Sequence, residues 1–161
     1  GTFQRLCHGT YRYVTRSDTT ASGVLSEVGV SPRSVNDIIL VFKAFVSRVG
    51  AWELPGELKP EEAEARGWVE RGTVTGRLRR VAPFNMDLAK RAVMLNKPTQ
   101  IAITKLDALF PEARGKRRWG DLPIEARRWV NSISEELGVP VTLIGTGEDA
   151  FDMVDLRGGL P

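Results

Sequence analysis

At 161 residues and 42% hydrophobic, the chain is one soluble domain or half of a larger one. Lys and Arg number 23 against 20 Asp and Glu, and a net charge of +3 is too weak and too mixed for a protein living on the phosphate backbone of nucleic acid. No apolar run approaches the roughly 18 residues of a membrane span, and no charged-apolar-small leader opens the chain. The single cysteine, Cys7, excludes an internal disulfide and suits the cytosol, and with His8 as the one histidine a four-ligand zinc site is untenable. Cys7 and His8 are adjacent, yet neighbours on an extended chain point to opposite faces and so do not make a nucleophile and its base.

In chain order, Thr19 to Leu25 reads as a short helix with a threonine cap, and Pro32-Arg33 starts another. The apolar run "VNDIILVFKAFVSRVG" from Val35 is predicted to begin helical and to end as a buried strand stopped by Gly50. Residues 54–68 are rich in Pro and Glu, a loop with a short acidic helix inside it. A helix over 85–97 takes Asn85 as its cap and turns Leu88, Ala92, Val93 and Leu95 inwards. "TQIAITKLD" is a buried strand, and "PEARGKRRWGDLP" a shortened basic surface loop. The stretch 123–138 is strongly amphipathic and helical, with Gly138 at its C-cap. "VPVTLIGTG" is a further apolar strand and "AFDMVDL" an edge strand. There is no internal repeat. Helices alternating with short β-branched strands predict an α/β layer fold: part of a mostly parallel central sheet with helices on both faces.

Two strand ends carry chemistry. Thr104-Lys105-Leu106-Asp107 follows an apolar strand, and in open α/β sheets ligands sit beyond the carboxyl ends of strands. A carboxylate there can accept from the N1–H and the 2-amino group of guanine together; adenine offers neither donor and would leave it buried and unpaired. The stem of Lys105 can lie along the base. The plain alternative is a surface Lys and Asp at an ordinary strand-to-helix turn. Some 38 residues on, Gly145-Thr146-Gly147 follows a second apolar strand, where backbone amides can meet the guanine O6. A glycine turn after a strand is, by itself, common. "TGRLRR", 75–80, is a third feature, read either as a solvated basic strand or as an anion grip. No phosphate-cradling G-x-x-x-x-G-K-[ST] loop accompanies these features, so any phosphates are held elsewhere or in a part of the protein outside this sequence.

The segments "HGTYRYVTRSDTTASGV", "SRVGAWELPGEL", "TVTGRLRR", "KRAVMLN", "ITKLDAL", "LGVPVTLIGTGED" and "VDLRG" occur in this order and together resemble the C-terminal half of the adenylosuccinate synthetases. The resemblance spans essentially the whole chain and, being short between Leu109 and Trp119, is to the compact form of the family. It implies one segmented domain over 1–161 within a fold like the P-loop type of GTP-binding folds. Its parts are an IMP-side segment over 1–50, a region with the aspartate-binding loop over 51–84, and a guanine-binding part over 85–161. It further implies GTP-dependent ligation of L-aspartate to IMP, with Mg2+ as cofactor and GTP as co-substrate, in a cytoplasmic homodimer.

Carried over residue by residue, the resemblance implies that Lys105, Leu106, Asp107, Gly145, Thr146, Gly147 and Arg79 bind GTP. Thr15 and Arg77 bind IMP. Thr73, Val74, Thr75, Gly76, Arg77, Leu78 and Arg79 form the loop that closes over aspartate. Gly145 stands where many members have serine, Arg16 and Asp18 where serine and asparagine are usual, and Leu78 where a further arginine is common. Arg77 and Arg79 project to one side of an extended run with Leu78 anchoring the other, which suits a dianion such as aspartate. The phosphate loop, the general-base aspartate, the catalytic histidine and the metal ligands are expected outside this chain, which holds no catalytic and no metal-binding residue of its own and is inactive alone. A non-catalytic purine-nucleotide-binding module is the competing reading. An RNA-binding domain using "RLRR" and "RGKRR" is weaker, because no exposed aromatics are expected beside those runs and the charge is near balance. No nucleic acid and no membrane is expected as a partner.

Overall fold

The computed structural model describes residues 18–49, 54–73 and 76–158. The first helix, α1 (Ala21–Val28), is capped by Thr20, whose side chain accepts from the Gly23 amide, and closes at Gly29 in the left-handed conformation. Asn96, at the far end of a later helix, holds α1 in place by accepting from the Ala21 amide at 2.8 Å. The expected helix at Pro32 is a single 3-10 turn, Pro32–Ser34.

From Val35 the chain is extended, and the predicted helical start is not formed. Instead β1 (Ile39–Lys43) and β2 (Phe45–Arg48) follow one another with only Ala44 between them. The β-branched Val35, Ile38, Ile39 and Val41 disfavour a helix. Pairing decides the rest: Thr99 donates its amide to the Ile38 carbonyl at 2.9 Å, and β1 then runs parallel to β4 (Gln100–Thr104). Tertiary pairing here outweighs the apolar periodicity.

The main sheet has four strands in the order β1-β4-β5-β6, where β5 is Val141–Gly145 and β6 is Met153–Asp155. β1, β4 and β5 are parallel and β6 is the antiparallel edge, as the sequence suggested. In register, Phe42 faces Ile103, and the same sheet face is covered by α3 (Met86–Asn96) and α5 (Ile124–Leu137). Ala126, Val130, Ile133 and Leu137 are the buried stripe of α5, and Gly138 ends it at φ 63°. In α3 the buried positions are Ala89, Ala92 and Asn96, while Leu88, Val93 and Leu95 are only half-buried. Small residues inside let α3 lie close to the sheet, and Phe84 fills the gap edge-on between Phe42 and Trp129.

A second, two-stranded sheet pairs β2 with β3 (Arg80–Pro83) and is roofed by the expected acidic helix, α2 (Pro60–Ala65). Its core is a Phe45–Trp68 stack with centroids 5.0 Å apart. Trp68 Nε1 donates to the Ala108 carbonyl at 2.9 Å, joining this sheet to the short helix α4 (Leu106–Leu109). The basic stretch 111–123 is more than a surface loop: two 3-10 turns place Ala113 and Leu122 in the main core.

On the sheet face away from α3 and α5, Val41 is 61% exposed with Ile39 exposed on the same strand, and Met153 is exposed on the opposite edge strand. Alternation along β1 produces this face, since Leu40 and Phe42 take the other one. Parallel sheets are ordinarily covered on both faces. The 161-residue chain produced alone is therefore expected to self-associate and to bind 1-anilinonaphthalene-8-sulfonate. A monodisperse monomer with a sharp thermal transition and no dye binding would contradict this.

Candidate functional site

The parallel strands end together, so their carboxyl edges deliver Lys43, Lys105 and Thr146 to one rim of the sheet. Lys105 adopts a left-handed conformation (φ 62°, ψ 34°), which lysine rarely does. This sharp turn drives Leu106 into the core, fully buried, and sets Asp107 in the first turn of α4. The Asp107 side chain is 15% exposed, with Arg114 Nε 4.0 Å from one carboxylate oxygen.

The glycine loop lies next to it across the β4–β5 pairing. Thr146 is fully buried and engaged on all sides: its amide donates to the Asp152 carbonyl, its hydroxyl to the Lys116 carbonyl, and its carbonyl accepts from Gly115. The Thr146 amide is thus not available to a base, contrary to the expectation of open amides through this loop. Thr146 instead clamps the basic stretch over the strand ends. Arg114 also reaches Glu148 at 3.4 Å, and Arg117 reaches Asp152 at 3.4 Å. One arginine therefore touches the loops after both strands.

"TGRLRR" belongs to a tight hairpin. The Arg79 amide donates to the Glu70 carbonyl, the Gly72 amide to Arg77, and the Gly76 amide back to Gly72, with Gly76 at φ 63°. Val74 and Thr75 lie outside the described residues, as do Thr15, Cys7 and His8. Thr73 and Arg77 are exposed. Leu78 does not anchor the strand: it is 47% exposed and makes an isolated bridge with Arg71. The other two arginines diverge, Arg80 to Glu57 at 3.2 Å and Arg79 to Glu70 at 3.4 Å.

Glu70 was not singled out by the sequence, and it joins the two candidate regions. Lys43, Arg79 and Lys105 surround its carboxylate at 2.8, 3.4 and 3.9 Å, and the Ser47 hydroxyl donates at 2.8 Å. Lys43 also donates to Ser47. Burial raises the Glu70 pKa, but the hydrogen bonds from Lys43 and Ser47 and the charges of Lys43 and Lys105 outweigh it and hold the carboxyl below its ordinary value. Burial lowers the Lys43 pKa, and the hydrogen bond and charge of Glu70 only partly offset this, with Arg79 and Lys105 repelling its proton. Both partners of one ion pair thus shift down for different reasons, Lys43 chiefly by burial and Glu70 by its hydrogen bonds and neighbouring cations. Lys43 was legible as the one charge within "IILVFKAFV", and Glu70 as the lone acid beside the arginine run.

Among the described residues no group of three His, Cys, Asp or Glu converges to hold a metal ion, and no helix is long and apolar enough to cross a membrane.

Parallel strands ending in a carboxylate turn and a glycine loop define an α/β protein of the open-sheet class, in which ligands sit beyond the carboxyl ends of the strands. A model of the adenylosuccinate synthetase family matches residues 1–112, and the chain belongs to that family. It is 49% identical over 152 residues to the adenylosuccinate synthetase of Methanosphaera stadtmanae, covering 94% of this chain and 45% of that protein. To the Methanocaldococcus jannaschii synthetase it is 48% identical over 160 residues, covering 99% and 46%. The chain thus spans about half the length of the curated relatives it matches. Among solved structures, the fully ligated adenylosuccinate synthetase of Plasmodium falciparum superposes with a TM-score of 0.85 at 24% identity, over 96% of this chain and 48% of that one. A cyanophage S-2L succinoaminodeoxyadenylate synthetase, bound to dGMP and to dATP as an energy donor, superposes at 0.73 with 20% identity, over 96% and 44%.

The two glycines of the second loop differ in what they tolerate. A Cβ on Gly145 would meet nothing nearer than Thr104 Cα at 3.5 Å, whereas on Gly147 it would meet Asp152 Oδ2 at 2.4 Å and Cβ at 2.9 Å. Gly145→Ser is expected to change stability by less than about 0.5 kcal/mol. Gly147→Ala pushes Asp152 off the Thr146 amide and is expected to cost about 1–3 kcal/mol. Denaturant midpoints of the two variants in the full-length polypeptide carrying this sequence check the contrast.

Proposed function

We propose that this chain supplies the guanine, aspartate and IMP contacts of a GTP-dependent ligase that joins L-aspartate to IMP, giving adenylosuccinate, GDP and phosphate. The reading rests above all on Asp107: a largely enclosed carboxylate at the carboxyl end of β4, beside the Gly145–Gly147 loop, in a chain of this family. Such a carboxylate accepts the paired N1–H and 2-amino donors that guanine alone among the common purines presents. The cyanophage synthetase of the same fold is described with dATP. The fold therefore does not choose between purines, and here that choice falls to Asp107. Lys105 lies along the base, and the amide of Gly147 is the donor proposed for O6, since that of Thr146 is engaged with Asp152.

The chemistry proceeds in two steps. GTP transfers its terminal phosphoryl group to the 6-oxygen of IMP, and the aspartate amine then adds at C6 while phosphate departs with that oxygen. Aspartate brings two carboxylates that must be neutralised while its amine stays able to attack. Arginine suits this because its planar fork grips a carboxylate through two hydrogen bonds. Arg77, on the open side of the hairpin, is assigned to aspartate and IMP, with Thr73, Val74, Thr75, Gly76 and Leu78 completing the loop. Arg79, turned towards the Lys105 side, is assigned to aspartate and GTP. Thr15 is assigned to the IMP phosphate. The described residues do not fit magnesium, so Mg2+ is proposed only as the companion of GTP phosphates held by other parts of the protein. A cytoplasmic homodimer is proposed for the whole enzyme. A purine-nucleotide-binding module without catalysis, acting alone or with a separate N-terminal chain, is the second reading.

Two kinetic results check this in the full-length polypeptide carrying this sequence. Asp107→Asn is expected to raise the KM for GTP by about 10²-fold or more, with IMP and aspartate little affected. Equal effects on all three substrates would make Asp107 structural only. Arg77→Leu is expected to raise the KM for aspartate by about 10²-fold, with a smaller effect on IMP, as loss of a two-bond charged contact predicts. Aspartate kinetics untouched by Arg77→Leu would overturn the assignment of the hairpin. Absence of adenylosuccinate formation in a wild-type polypeptide that binds GDP would favour the module.

A further inference from the structure

Glu70 lies in neither the base turn nor the arginine loop, yet its contacts come from four separate segments. Lys43 ends β1, Ser47 lies in β2, Arg79 leads into β3, and Lys105 follows β4. The Glu70 side chain is 12% exposed, so its carboxylate is largely out of water, while the side chains of Arg79 and Lys105 are 36% and 47% exposed. Oε2 receives Lys43 and Ser47 at 2.8 Å and Arg79 Nη1 in a longer hydrogen bond at 3.4 Å, whereas Lys105 stands 3.9 Å from Oε1. The two nearer partners therefore fix the carboxylate, which in turn holds Arg79 by one long hydrogen bond and Lys105 by charge alone. Arg79 Nε is buried and has no hydrogen-bond partner among the described residues. Three cations around one carboxylate leave an excess of positive charge at the rim where the strands end.

We propose that Glu70 is a positioning residue: it holds Arg79 and Lys105 a fixed distance apart in the empty site, so that an anionic nucleotide meets both at once. The proposal rests on the guanine-nucleotide reading and deepens it by coupling the base turn to the arginine hairpin. Without Glu70, the cations repel one another in a partly buried space, and Arg79 loses the acceptor that turns it inwards. The nucleotide then has to bring Arg79 back itself, and the ordering entropy is charged against binding.

Simple electrostatics gives the opposite expectation, which makes the test sharp. Deleting a negative charge beside an anion site should tighten anion binding if charge were all that mattered. GDP affinity is measured by titration calorimetry on the full-length polypeptide carrying this sequence, as wild type, Glu70→Gln, Arg79→Met and the double variant. Glu70→Gln is expected to weaken GDP by about tenfold, and the further loss from Arg79→Met is expected to shrink to about twofold in that background, as coupled neighbours do. Tighter GDP binding by Glu70→Gln, unchanged binding with only a lowered Tm, or additive losses in the cycle would each overturn the proposal. Glu70→Asp keeps the charge and withdraws the carboxylate by one methylene, so it guards against a variant that fails to fold. It is expected to weaken GDP several-fold at an unchanged Tm, and wild-type affinity in Glu70→Asp would overturn the proposal as well. A wild-type polypeptide that binds GDP but forms no adenylosuccinate would defeat the ligase reading and leave the Glu70 result standing. One that binds no GDP would defeat both.

Discussion

The last rung of the β1–β4 pairing, where the Ala44 amide donates to the Thr104 carbonyl at 2.9 Å, is the contact on which the rest of this structure depends. Ala44 is fully buried, and no larger side chain would let the chain leave the main sheet there and enter the second one at Phe45. One residue before that rung, Lys43 reaches the rim; one residue after its partner Thr104, Lys105 does the same. The second sheet then brings back Glu70, Arg79 and Arg80 from a hairpin some 30 residues later in the chain. The candidate site is thus assembled where two sheets diverge, a geometry in which short segments of distant sequence end close together.

Charge at this rim is arranged in a definite order. Arg80 is matched by Glu57, outside the rim, whereas Glu70 is shared by Lys43, Arg79 and Lys105. A pair with one partner each would be a neutral surface feature of small consequence. A carboxylate shared three ways, itself mostly out of water, leaves the cations under-neutralised, and the pKa of Lys43 is lowered chiefly by burial with a smaller contribution from that repulsion. Such a rim attracts anions while the protein as a whole stays near charge balance, with +3 over 161 residues. The basic stretch beyond α4 acts differently. Its arginines are directed at the acids of the base loops, Arg114 at Asp107 and Glu148 and Arg117 at Asp152, and Thr146 holds its backbone from below. Positive charge is used there to close a lid of backbone over the strand ends, which a loop lying wholly on the surface could not do.

Family membership places these features in a context without explaining them. The solved structures that superpose on this chain share the fold. Two details at the rim of this chain belong to side chains: glycine at 145, with room for a Cβ, and leucine at 78, turned outwards where an anchor was expected. Leu78 exposes its side chain because the hairpin's two strands are satisfied by Glu70 and Gly72 through backbone bonds alone. Neither packing nor charge constrains that position, which is consistent with its being exchangeable for arginine.

By itself the sequence determined the elements whose signals are local. Asn85 and Gly138 mark helix ends because their side chain or their lack of one satisfies terminal groups. The stripe of α5 is a period that survives any tertiary context. Asp107 and the glycines 145 and 147 were visible as strand-end chemistry because turns after strands have composition of their own. Only the tertiary structure decided the rest. Residues 35–48 have an apolar pattern that suits a helix or a strand, and the parallel partner Gln100–Thr104, sixty residues away, chose two strands. The availability of amides in the glycine loop depended on Asp152, and the inward turn of Arg79 on Glu70. A sequence reports what a residue can offer to a ligand; whether the offer stands depends on which neighbours the fold brings within about 3 Å to take it first.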